Sequence, residues 1–149
     1  MGFKITDEMI KNSLVSKGDI ARIVQVIKKA KSGQDITVAF LGGSITQGCN
    51  ASNFEQCYAS RTYRWFKNTF SDINVKYINA GVGATGSVIG VHRVENQVLS
   101  YNPDIVFIDF AVNDKNIIYD KKAYESLVRR ILSMENPPAI VEVFMTNFD

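Results

Sequence analysis

The chain has 149 residues, 46% of them hydrophobic, with 17 basic and 15 acidic side chains and a formal net charge of +2. That length suits one domain with its own core. The balanced charge, with no basic run beyond a Lys-Lys or Arg-Arg pair, argues against a nucleic-acid partner. No stretch approaches the roughly 18 unbroken apolar residues of a membrane helix. The N-terminal stretch MGFKITDEMIKNSL lacks a continuous apolar segment and a small-residue cleavage site, so a cytoplasmic location is expected. Met1-Gly2 followed by Thr6 fits a myristoylation pattern that arises often by coincidence. Cys49 and Cys57 lie eight apart in one predicted loop. Free thiols are expected there, with a disulfide as the alternative, and too few ligands lie nearby for a metal site.

Residues 1–17 read as a polar N-terminal extension with a helical turn near Asp7 to Leu14. Ile20, Ile23, Val24 and Ile27 then recur at helical spacing, with Arg22, Gln25, Lys28 and Lys29 on the other face. Asp19 is placed to cap the start of this helix and Gly33 its end. Ile36 to Leu41 is a short run of apolar and β-branched residues that breaks at Gly42-Gly43 and presents Ser44, the pattern of a buried parallel strand ending at the sheet edge. A loop through Asn50, Asn53 and Gln56 leads to a helix marked by Tyr58, Thr62, Trp65, Phe66 and Thr69, with Trp65 and Phe66 expected in the core. The second strand, Val75 to Ile78, runs into NAGVGATGS, Asn79 to Ser87. A third helix follows, with Val88, Val91, Val94 or Glu95, and Val98 inward and His92, Arg93, Asn96 and Gln97 outward. After Pro103 comes a strand from Ile105 to Phe110, apolar except for Asp109, ending in AVND, Ala111 to Asp114. The fourth helix carries Tyr124, Leu127, Val128 and Ile131 on one side, and Pro137-Pro138 separates it from a last strand, Ala139 to Met145.

The alternation αβαβαβαβ implies parallel strands with right-handed crossovers. The expected fold is a single α/β domain over residues 1–149, a three-layer α/β/α sandwich around a flavodoxin-like parallel sheet. All strand-to-helix loops then open at one edge, where such sheets place their ligands. Three of them carry small or amide residues: Gly42-Gly43-Ser44; Asn79 with Gly81, Gly83 and Gly86; and Asn113-Asp114. A serine so placed is a nucleophile, a phosphate ligand or a cap. As a nucleophile it would need N–H donors aimed at the oxygen that becomes negative. Ser44 N–H, the Gly83–Ala84 turn and the Asn113 amide are the candidates. Gly81-x-Gly83-x-x-Gly86 also satisfies a dinucleotide fingerprint, but it follows the second strand rather than the first.

These three blocks in order resemble the SGNH (GDSL-type) hydrolase superfamily, over about residues 18–149. GGSIT, Gly42 to Thr46, matches the nucleophile block. NAGVGA, Asn79 to Ala84, resembles the oxyanion turn. AVND matches the block that supplies the oxyanion amide, here Asn113. The resemblance implies that Ser44 is the nucleophile, that Gly83 or Ala84 and Asn113 bind the oxyanion, that Gly42, Gly43 and Asp114 support them, and that no metal or organic cofactor is needed. GGSITQG and AVND resemble members associated with carbohydrate deacetylation, which implies a short-chain, O-acetyl carbohydrate ester as substrate. Ala84 stands where many members carry glycine. Its N–H survives that change, but a positive φ would strain its methyl group. Ala111 likewise replaces a glycine. The family's base is a histidine in an Asp-x-x-His block after a fifth strand, whereas the 149 residues reach only a fourth, so the fold is expected to be truncated there. The single histidine, His92, is expected on an exposed helix face. An exposed sheet edge is expected to favour homo-oligomers. Two alternatives to a working esterase stay open: a catalytically incomplete or non-catalytic binding domain, and the dinucleotide-binding reading.

Overall fold

The computed structural model describes residues 4–115 and 117–145. Four short runs rich in β-branched and aliphatic residues pair into one sheet: β1 (Ile36–Gly42), β2 (Val75–Gly81), β3 (Ile105–Asp109) and β4 (Ala139–Glu142). The order is β2-β1-β3-β4 and every pairing is parallel. Ile36 pairs with Val75, Val38 with Ile105, and Ile105 with Ala139. Among the described residues, six α-helices connect or flank the strands: α1 (Asp7–Ser13), α2 (Ala21–Lys31), α3 (Ser44–Gln47), α4 (Tyr58–Thr69), α5 (Ser87–Gln97) and α6 (Ile118–Leu132).

The layers follow from the period of two along β1. Val38 and Phe40 face α2 and α4, where Val26, Ala30, Ala59 and Phe66 are buried with them. Ala39 and Leu41 face α5 and α6, against Val94, Leu127 and Ile131. A strand covered on both faces has no polar side to show, which is why Val38 to Leu41 of β1 is an unbroken apolar run. Phe40 centres the first layer. Its ring lies 4.9 Å from Phe107, stacked, and 5.9 and 5.6 Å from Tyr58 and Tyr77, edge-on. Such pairs each add about 0.5–1.5 kcal/mol beyond the area they bury.

Several local expectations are corrected. The inward stripe of α2 is Ile23, Val26, Ile27 and Ala30, which leaves Ile20 and Val24 exposed. Asp19 accepts from the Ala21 N–H at 2.8 Å, one residue ahead of the cap position held by Ile20. Trp65 is 54% exposed while its neighbour Phe66 is buried. Adjacent helix positions are about 100° apart, so only one of the two can face the sheet. Trp65 instead lies edge-on over Phe66 at 4.9 Å. Val88, in the first turn of α5, is exposed rather than buried. β2 continues to Gly81 because Asn79, Ala80 and Gly81 pair with Phe40, Leu41 and Gly42. β4 stops at Glu142. Both cysteines are free thiols, Cys49 exposed and Cys57 buried at the start of α4. Among the described residues no helix is long and apolar enough to cross a membrane.

Candidate active site

β1 has β2 on one side and β3 on the other. The chain therefore leaves its C-terminal end in one direction and returns on the opposite side, which opens a crevice there. Gly42 and Gly43 floor this crevice. A Cβ on Gly42 would come within 2.6 Å of the Asp109 carbonyl oxygen, and one on Gly43 within 2.5 Å of the Asn113 side-chain oxygen. Both positions need glycine because other parts of the chain already fill the space. Gly43 N–H donates to the Asp109 carbonyl at 3.2 Å, which ties the ends of β1 and β3.

Ser44 then opens α3, a single turn ended by Gly48 at φ +105°. The side chain is partly exposed, and the Ser44 N–H has no acceptor among the described residues. Gly83 of the second loop stands beside it: a Cβ there would lie 3.9 Å from that of Ser44. The third loop brings Asn113 against Gly43. Its turn is closed by the Asn113 and Asp114 N–H groups, both donating to the Phe110 carbonyl at 2.9 Å. The three loops singled out from the sequence thus meet at Gly43-Ser44.

Their members do different things. Gly83 N–H already donates to Gln47 Oε1 at 2.8 Å, which removes it from the set of open donors. Ala84 N–H has no acceptor among the described residues. Ala84 sits at φ +57°, the left-handed region, where a non-glycine residue costs about 1–2 kcal/mol. The conformation expected to strain its methyl group is the one adopted. Asp114 is structural: its Oδ1 accepts from the Ser87 N–H at 2.9 Å and so occupies the N-terminal end of α5. A pyrophosphate in the dinucleotide reading would need that same place. Gly81 and Gly86 are also committed within the protein, to the backbone of Gln47 and to the Asp114 carboxylate.

Five further side chains hold this edge together: Thr46, Tyr58, Asn79, Arg93 and Asp109. Thr46 is wholly buried, and its hydroxyl donates to Asp109 Oδ2 at 3.2 Å and lies 2.9 Å from the Tyr58 hydroxyl. Burial raises the Asp109 carboxyl above the ordinary carboxylate range, and the Thr46 hydrogen bond opposes that rise. Burial pushes the Tyr58 phenol up as well, which keeps it a neutral donor. Asn79 donates to the Thr46 carbonyl at 2.9 Å and accepts from the Gly81 N–H at 2.9 Å. Arg93, expected on the outer face of α5, instead reaches inward. Its Nη2 donates to the Gly42 carbonyl at 2.7 Å and its Nη1 to the Ala80 carbonyl. It thereby clasps the ends of β1 and β2 behind the crevice. Desolvation lowers its pKa, and no carboxylate pairs with it among the described residues. Nothing in the helical pattern of α5 marks Arg93 as turning inward. Asp109 did stand out, as the one polar residue of an apolar strand. His92 is exposed on α5 and makes no hydrogen bond among the described residues. No group of three His, Cys, Asp or Glu side chains there is placed to hold a metal ion.

Three comparisons with known proteins bear on this arrangement. The model of the GDSL-like lipase/acylhydrolase family matches residues 40–148. Among solved structures, the chain is similar to a two-domain esterase (CEX) active on acetylated mannans, with 42% identity and a TM-score of 0.88. The match covers 90% of this chain and 36% of that one, so the 149 residues span about a third of the esterase's length. The same esterase co-crystallised with mannopentaose superposes with a TM-score of 0.87 at 42% identity, over 90% of this chain and 36% of that one. A variant of Axe2, an acetyl xylan esterase from Geobacillus stearothermophilus, shares the fold at 18% identity and a TM-score of 0.53, over 72% of this chain and 58% of that one. No match is found among curated proteins.

Proposed function

Since the chain belongs to the GDSL-like lipase/acylhydrolase family, we propose that it carries the nucleophile and oxyanion site of an O-acetyl carbohydrate esterase. The observation that carries this reading is the meeting of Ser44 with two open backbone donors and a carboxamide at one glycine floor. The acetylated-mannan activity of the 42% identical esterase supports the acetyl and polysaccharide part.

In this reading Ser44 Oγ attacks the acetyl carbonyl carbon. The carbonyl oxygen, now negative, is held by the Ser44 N–H, the Ala84 N–H and the Asn113 carboxamide, donors each worth about 3 kcal/mol in the transition state. The C–O bond to the sugar breaks and the sugar oxygen takes a proton from the base. Water then attacks the acyl-serine and releases acetate. An imidazole must accept the serine proton first, because a free serine is a weak nucleophile near neutral pH. The exposed His92 is not assigned that role, so the base is supplied from outside the site described above.

The test is acylation by p-nitrophenyl acetate with and without added imidazole, beside Ser44→Ala. The expected result is a Ser44-dependent release of p-nitrophenol, stimulated by imidazole, with one acetyl group on the Ser44 peptide by mass spectrometry. Equal rates for the two proteins under both conditions would refute the reading. Acetate release from acetylated mannan compared with acetylated xylan then decides the polysaccharide.

A further inference from the structure

We propose that Gln47 is a positioning residue that latches the oxyanion loop to the nucleophile turn and keeps Ala84 in its left-handed conformation. The inference rests on the reading of Ala84 N–H as an oxyanion donor. Gln47 is the last residue of α3, one turn after Ser44. It meets the second loop twice. Its backbone packs on Gly81 so closely that a Cβ there would fall within 2.6 Å of Gln47 Cα. Its side chain then crosses to accept the Gly83 N–H at 2.8 Å.

A non-glycine residue holds positive φ only where its surroundings over-determine it. Three bonds bracket Ala84. Val82 N–H donates to the Gly42 carbonyl at 3.1 Å, Gly83 N–H to Gln47, and the Thr85 hydroxyl to the Val82 carbonyl at 2.7 Å. The first starts the loop from β1, and the third closes the loop on itself. Of the three, the Gln47 bond is the one that joins the loop to the turn carrying Ser44. It also decides which donor stays open, since Gly83 N–H is taken and Ala84 N–H is not. Without the Gln47 acceptor, Ala84 is free to relax to negative φ and turn its N–H away from Ser44.

Gln47→Met keeps the length of the side chain and removes the acceptor. Two measurements on the full 149-residue chain test the latch. In amide hydrogen exchange, Gly83 should lose about five- to tenfold protection, the worth of one hydrogen bond, while Phe40 of β1 stays unchanged. In acylation by p-nitrophenyl acetate with imidazole, the maximal rate should fall about tenfold with the half-saturating concentration within about twofold, the pattern of a lost transition-state contact. Ala84→Gly supplies a second background, because glycine needs no latch to visit that conformation. There, adding Gln47→Met should raise Gly83 exchange again but move acylation by less than about twofold from the Ala84→Gly single variant. Unchanged Gly83 exchange in Gln47→Met overturns the proposal. So does an equal fall in acylation whether Gln47→Met is made in wild type or in the Ala84→Gly background. If wild type shows no Ser44-dependent acylation, the esterase reading fails and the exchange result still decides the latch.

Discussion

Two regions flanking the sheet, the ends of β1 and β2 and the length of β4, are built on opposite plans. Around the ends of β1 and β2, glycines let backbone touch backbone, and three long or buried polar side chains are tied to fixed partners: Thr46 to Asp109, Gln47 to Gly83, Arg93 to Gly42 and Ala80. Beside β4 the surface is a mixed, largely apolar groove of about 690 Å³, lined by Leu14, Ile20, Leu132 and Phe144, all of them exposed, and by Lys17 and Glu142. The first side is fixed by contacts with no slack. The second offers partly exposed apolar side chains, the kind of surface that interaction sites use. The contrast separates the part of the molecule that sets atomic positions from the part that presents area.

The contrast breaks most plainly at Gly81. A methyl group there meets Gln47 backbone, which cannot swing aside as a side chain can. Gly81→Ala should cost about 3 kcal/mol in urea unfolding, as overpacking does, and a loss below about 0.5 kcal/mol would show that this side has slack after all.

Asp109 sharpens the contrast through pH. Its carboxyl is raised by burial, so the folded state holds the proton more tightly than the unfolded one. The stability this lends is complete below the ordinary carboxylate value of 3.8 and is lost as pH climbs through the raised value. Asp109→Asn keeps an acceptor for Thr46 and removes the charge. Its Tm should gain on wild type by about 2–4 °C between pH 4 and pH 7. Parallel Tm curves for the two proteins would mean that the carboxylate is not desolvated in solution.

On the β4 side, Ile20→Ser should leave stability within about 0.5 kcal/mol of wild type. The position is the N-cap of α2, where serine is favoured. A loss of about 2 kcal/mol or more, the scale of a core truncation, would show that the groove is packed in solution, and the contrast would be gone.

Much of this was legible in the sequence, for physical reasons. The unbroken run of β1 announces a strand buried on both faces. Gly42-Gly43-Ser44, NAGVGA and AVND announce backbone brought close at one edge, because glycine and small polar residues are what close approach leaves. Side-chain direction was less legible. Trp65 and Phe66 are both large and aromatic, and only the phase of α4 sends one inward. The stripe of α2 is hard to phase from the sequence because Ile20 and Val24 are at least as hydrophobic as Val26 and Ala30. Gln47 and Arg93 were less legible still. Their partners are main-chain groups 36 and 51 residues away, and main-chain groups leave no mark in a sequence.

Arg93 holds its two strands through carbonyl oxygens and not through a carboxylate. Carbonyls do not titrate, and a guanidinium keeps its charge at any ordinary pH. An arginine clasped by aspartate lets go in acid; this one has no acid-labile half. This clasp behind Ser44 is therefore indifferent to acidity wherever the fold survives, unlike the Thr46–Asp109 contact beside it.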